Sequence, residues 1–157
     1  MGETEASFSS QEKMDTFEVS TAFVFPAAIQ QLENQAEGLA DSMCSQYQTI
    51  LLSSPGESSQ ESNDRLFEVT IKTQELKSQF DELQSIHFQM LDYINRIPNQ
   101  TDPTSFAYVR EGFEKIENVM REVQTAIDFS KIADIRAAIE MQINELEAKQ
   151  KAGDQTW

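Results

Sequence analysis

Along most of the chain, apolar residues recur at alternating steps of three and four, the spacing that lays one stripe down an α-helix. The first stripe is Ile29, Leu32, Ala36, Leu39, Met43, Tyr47 and Ile50. It predicts a helix over about 26–52, opened by Pro26, whose missing N–H would lack a helical partner in the first turn anyway. Ser53-Ser54-Pro55-Gly56 stops it, because proline cannot donate and glycine supplies turn geometry.

A second stripe runs Leu66, Val69, Thr73, Leu76, Phe80, Leu83, His87, Met90, Ile94 and Ile97 without a slip, a heptad pattern. Ser58 and Glu61 have capping-box spacing ahead of it, Pro98 ends it, and Gln79 falls on its expected wet face. A third stripe, Phe106, Val109, Phe113, Ile116, Met120, Val123 and Ile127, follows an N-capping Asp102 and Pro103. A fourth takes Ile132, Ile135, Ile139, Ile143 and Leu146. The step from Ile127 to Ile132 is five residues, which breaks the heptad. Either Asp128 or Ser130 caps a new helix there, or one long helix shifts its seam. Lys149, Lys151 and Gly153 suit a helix end.

These elements predict an all-α chain, an elongated helical hairpin or coiled-coil bundle of three to four helices. At ~1.5 Å per residue the second helix is roughly 55–60 Å long, against a radius of gyration near ~15 Å for a compact domain of this size. The second and third helices, joined by a short loop, are expected to form an antiparallel hairpin that the first partly covers. The seam expected to form core or interface is Leu66, Val69, Leu76, Phe80, Leu83, Met90, Ile94, Phe113, Ile116, Met120 and Val123. Residues 26–151 form the helical domain in this reading, with 152–157 as a flexible tail.

Residues 1–25 read differently. They are polar and acidic at first and cannot bury enough apolar surface to offset ordering entropy, so they are expected to be disordered when free. Phe17, Val19, Phe23 and Phe25 form a candidate docking arm: they do not share one helical stripe, whereas Phe23 and Phe25 share a face in an extended chain. The alternative is that the arm folds back on the first helix.

Composition narrows the function. The 157 residues carry a formal net charge of −15 and only 5 Gly and 4 Pro, so connections are few and elements long. Nine acids and one base, Lys13, lie in residues 1–57. This balance argues against nucleic-acid binding, which needs clustered Lys and Arg, and against attraction to an anionic membrane. It is compatible with a basic partner surface, and also with an acidic segment that aids solubility. No apolar run approaches a membrane span, and the acidic start does not read as a secretory signal. The single Cys44 permits no intrachain disulfide, which suits a reducing compartment.

Chemistry is sparse. His87 and Cys44 are the sole His and Cys, both on or beside apolar stripes and outside any recognisable catalytic arrangement. His87 reads as a register-fixing seam residue or as a pH-sensitive contact; Cys44 reads as a small apolar group. Paired acids such as Asp81-Glu82 lie on wet faces, and Glu68–Lys72 and Glu111–Lys115 have helix-supporting spacing. No catalytic, metal-binding or cofactor-binding residue is expected, and no cofactor. The expected role is a non-enzymatic interaction subunit whose partners are other helical subunits of a hetero-oligomeric complex.

Over roughly residues 27–97 the layout resembles small helical subunits of the transcriptional Mediator, especially its middle module. Leu32-Glu33, Ser54-Pro55 and Asp92-Tyr93-Ile94-Asn95 fall at separations similar to one subunit type, although Ile97-Pro98-Asn99-Gln100 stands where that type continues with Asn-Pro and Tyr-Thr. Gln31-Leu32, Leu39-Ala40-Asp41 and Cys44 look similar to a second type. A further resemblance, through Leu32-Glu33-Asn34-Gln35-Ala36, Leu39-Ala40 and Asp134-Ile135-Arg136, is to small coiled-coil subunits of the BORC lysosome-positioning complex. The first resemblance implies a nuclear scaffold bridging regulators and RNA polymerase II, with no catalytic residues. The second implies a cytoplasmic organelle-positioning or tethering subunit.

Overall fold

The computed structural model describes residues 25–99, 102 and 104–154. Among them four helices and no strand occur: α1 (Pro26–Leu51), α2 (Ser59–Asn95), α3 (Ala107–Ala126) and α4 (Phe129–Asp154). The protein is an all-α helical bundle. Phe17, Val19 and Phe23 of the expected arm lie outside the described residues.

Helix boundaries have local causes. At the start of α1 the Phe25 carbonyl accepts the N–H groups of Ala28 at 3.0 Å and Ile29 at 3.2 Å. Ahead of α2, Ser58 Oγ accepts the Glu61 N–H at 3.1 Å. The Glu61 carboxylate accepts the N–H of Glu57 at 3.0 Å, one residue earlier than in the reciprocal capping box. Gly56 is buried in this loop; its N–H donates to Ser62 Oγ at 3.0 Å, and a Cβ there would collide with Cβ of Glu61. α3 begins at Ala107, later than Asp102: the Asp102 carboxylate accepts the Thr104 N–H at 3.2 Å and its carbonyl the Ser105 N–H at 3.0 Å, forming a turn ahead of the helix.

The five-residue step between the third and fourth stripes is a helix break. α3 ends at Ala126 and α4 starts at Phe129. Asp128 Oδ1 accepts the Ser130 N–H at 2.9 Å and the Ser130 hydroxyl at 2.6 Å. Asp128 caps a new helix, one that continues through Asp154, past the expected limit at 151.

The packing divides into two compact units, Met1–Glu37 with Gln84–Val119, and Gly38–Leu83 with Met120–Trp157. In the first, Ile29 and Ala36 of α1, Ile86 and Met90 of α2, and Val109 and Ile116 of α3 are buried, with Phe106 just ahead of α3. Contacts give the helix directions. Gly112 lies against Ile29 and Lys115 near Glu33, so α1 and α3 advance together. Gly112 also lies against Met90, and Glu117 near His87, so α2 runs antiparallel to α3.

In the second unit the buried apolar side chains are Met43, Tyr47 and Ile50 of α1, Val69, Leu76 and Leu83 of α2, Met120 and Val123 of α3, Ile127, and Ile132, Ile139 and Ile143 of α4. Gln79 Nε2 donates to Ser42 Oγ at 2.9 Å and Gln46 Nε2 to Glu75 Oε2 at 3.1 Å, which makes this part of α1 and α2 antiparallel. Gln79 is therefore half-buried between helices, not on a wet face. Buried Thr73 satisfies its hydroxyl by donating to the Val69 carbonyl at 2.6 Å.

Candidate interaction surfaces

The seam residues fall into two depths. Val69, Leu76, Leu83, Met90, Ile116, Met120 and Val123 are buried. Leu66, Phe80, Ile94 and Phe113 are half-buried. On α2 the deepest residues, Ser62, Val69, Leu76, Leu83 and Met90, recur every seven positions. The other line of the same heptad holds Leu66, Phe80, His87 and Ile94, which stay partly wet, and Thr73, which is buried. Ile86 is buried beside the first line although it belongs to neither.

Within the Met1–Glu37/Gln84–Val119 unit, His87 stacks on Phe113 with ring centroids 5.4 Å apart and 25° between planes. Its Nε2 lies 3.9 Å from the Glu117 carboxylate. Lys115, spaced to pair with Glu111 on its own helix, has Nζ 3.6 Å from Glu33 Oε2 on α1. A Cβ at Gly112 would run into Ile29 Cγ2, with Glu33 Oε1 at 3.1 Å and Met90 Cε at 3.3 Å. Glycine here lets two helix backbones approach closely, a role the hydrophobic pattern does not mark. Phe25 and Phe88 remain exposed in this unit.

In the Gly38–Leu83/Met120–Trp157 unit the exposed large apolar residues are Leu52, Phe67, Ile71 and Met141. Phe67 is 68% exposed. Ile71 lies one helical turn on, so the two share a face of α2. Exposed Asp64, Glu68 and Glu75 stand near them along the helix. The sequence does carry a signal for these residues. Phe67 and Phe88 each sit one place past a seam position, Leu66 and His87, where a polar residue is the rule for a solvated face.

At the α3–α4 junction the hydrogen bonds from the Ser130 hydroxyl and then its N–H hold the Asp128 carboxyl below its ordinary value. Among the described residues no group of three or more His, Cys, Asp or Glu side chains is arranged to hold a metal ion, and no helix is long and apolar enough to cross a membrane. Comparison with known protein families, curated proteins and solved structures finds no match for the chain.

Proposed function

We propose that this protein is a non-catalytic scaffold subunit of a hetero-oligomeric complex, and that the complex is a nuclear transcription coregulator of the Mediator type, bridging regulators and RNA polymerase II. The observation that carries the first part is the Phe67–Ile71 face of α2. Phe67 is largely exposed and Ile71 partly so, at 68% and 38%, although the same helix already buries Val69, Leu76 and Leu83. Two apolar residues one turn apart, near acidic Asp64, Glu68 and Glu75, suit an apolar strip on a partner helix with a basic rim. The assignment to a transcription coregulator rests on the sequence resemblance over residues 27–97.

The test is purification of the endogenous protein beside a Phe67→Ser, Ile71→Ser variant, with identification of what accompanies each. Coregulator subunits should accompany the wild type and be depleted at least tenfold from the variant, while far-ultraviolet circular dichroism of the two matches. Companions from an organelle-tethering complex would replace the coregulator reading. A wild type that purifies alone as a monomer would overturn the scaffold reading itself.

A further inference from the structure

We propose that Ser54 is a phosphorylation site for a proline-directed serine/threonine kinase, and that Arg65 receives the phosphate. Ser54 lies in the loop between α1 and α2, and its modification does not depend on which complex the chain joins. Ser54-Pro55 is the only Ser-Pro or Thr-Pro pair in the chain; the other three prolines follow Phe25, Ile97 and Asp102. A kinase that selects hydroxyl residues before proline therefore has one acceptor here.

The loop presents that acceptor. Residues 53–56 are neither helical nor paired in a sheet, and both Ser54 and Pro55 are exposed. An exposed segment outside regular structure is the form a kinase groove accepts as substrate. The loop is also held at both sides of the acceptor. Buried Gly56 is tied to Ser62 Oγ at 3.0 Å. Arg65 Nη1 donates to the carbonyl of Ser54 at 2.7 Å, to that of Pro55 at 2.9 Å and to Ser54 Oγ at 3.2 Å.

The last contact sets the chemistry. Arg65 uses a lone pair of the Ser54 oxygen and leaves the hydroxyl proton free to be removed by the kinase's base. With ATP as donor, a bond forms between Ser54 Oγ and the γ-phosphorus. The bond from that phosphorus to the β,γ-bridging oxygen breaks, ADP leaves and the hydroxyl proton passes to solvent. The product carries a charge of about −1.5 to −2 at neutral pH. It stands within reach of a guanidinium already in hydrogen-bond range of the acceptor oxygen, and guanidinium and phosphate match as a two-pronged, charge-assisted pair. The modified loop would exchange a charge–dipole contact for an ion pair in the connection between α1 and α2.

The experiment treats the full chain with a purified cyclin-dependent kinase and magnesium ATP, alongside Ser54→Ala and Arg65→Gln variants. Intact mass and peptide mapping should give one phosphate on Ser54 in the wild type and in Arg65→Gln, and none in Ser54→Ala. Phosphorus-31 titration at low salt should then place the second ionisation of the phosphate lower in the wild type than in Arg65→Gln, by roughly half a pH unit or more, because an adjacent cation favours the dianion. If Arg65→Gln does not fold, native and urea-unfolded wild-type phosphoprotein supply the same comparison. A wild type that takes no phosphate, or a Ser54→Ala variant labelled as well as the wild type, overturns the site. Equal titration midpoints with and without the Arg65 contact overturn the role of Arg65.

Discussion

In the Met1–Glu37/Gln84–Val119 unit, the first half of α1 meets α3 at Gly112, where Ile29 Cγ2 occupies the space a side chain would need. In the Gly38–Leu83/Met120–Trp157 unit, the second half of α1 meets α2 through two polar bonds, Gln79 to Ser42 and Gln46 to Glu75. One contact depends on the absence of atoms and the other on their presence. The polar contacts are partly self-cancelling: Oε1 of Gln46 and Oε1 of Gln79 are buried without a hydrogen-bond partner. A net gain of about 0.5–1.5 kcal/mol per bond is offset by about 1–3 kcal/mol for each buried group left unpaired. The second unit must therefore rest on its apolar line, and the polar bonds set register. The first unit rests on closeness of approach.

The largest effect expected from this contrast is at Leu83, which is fully buried. Leu83→Ala should lower unfolding free energy by about 2–5 kcal/mol. Phe80→Ala, three residues away on the half-buried line, should cost clearly less in spite of its bulkier side chain. Urea denaturation followed by circular dichroism measures both. Equal losses would mean that the two heptad lines of α2 are equally deep, contrary to the burial pattern.

Gly112→Ala comes next. Alanine improves intrinsic helix propensity by about 1 kcal/mol, but overpacking a filled site costs about 1–3 kcal/mol. Ile29 is buried and its Cγ2 branches from Cβ, so it cannot swing aside as Met90 Cε or Glu33 Oε1 can. A net loss of about 1 kcal/mol is expected, read as a lower denaturation midpoint. A rise would show that α1 retreats from α3 without penalty and that close approach at Gly112 is not required.

Gly38→Ala is the matched control and should go the other way. Gly38 lies within α1, is exposed, and an added Cβ there meets nothing within 4 Å. Only the propensity effect survives, a gain of about 0.5–1 kcal/mol. Thermal melting of Gly38→Ala beside Gly112→Ala isolates the crowding at Gly112, since both substitutions make the same chemical change in a helix. Matching shifts would erase the distinction drawn between the two sites.

The pair of glycines also marks where sequence pattern stops being informative. Periodicity reports how a helix divides its own surface, and for that reason the stripes from Ile29 to Ile50 and from Leu66 to Ile97 located α1 and α2, and Ser58 with Glu61 located the start of α2. The five-residue step after Ile127 was legible as a disruption of the stripe, but the spacing alone did not choose between a new helix capped at Asp128 or Ser130 and one long helix with a shifted seam; the packed fold shows the break. Periodicity does not encode the distance to a neighbouring helix. Gly38 and Gly112 therefore look alike in sequence although one is open and the other is filled by Ile29. Gln79 looked like a wet-face residue because its bond to Ser42 joins two helices through residues 37 positions apart in the chain. The candidate surface was half legible: Phe67 and Phe88 are off-stripe aromatics, but only the packed fold shows that both stay mostly exposed.

The smallest expected effect is at Asp128, which is exposed and whose influence is read through pH alone. Hydrogen bonds from the hydroxyl and the N–H of Ser130 favour its ionised form, so its carboxyl titrates below its ordinary value in the folded protein. A carboxyl with a depressed folded value contributes stability above its unfolded value, and that contribution fades as pH falls through the folded one. The contribution should thus be complete at neutral pH and lost only in the acid range beneath the ordinary carboxylate value. Asp128→Ala should melt lower than wild type at pH 7, with the gap narrowing as the solution is acidified through that range. Asp128→Asn, which keeps an N-cap acceptor without a charge, should fall between them at neutral pH and show a flatter acid dependence. A constant gap between wild type and Asp128→Ala across the acid limb would mean that the cap acts through shape and not through its charge. The junction between α3 and α4 would then rest on the apolar pair Ile127 and Ile132, both buried on either side of the break.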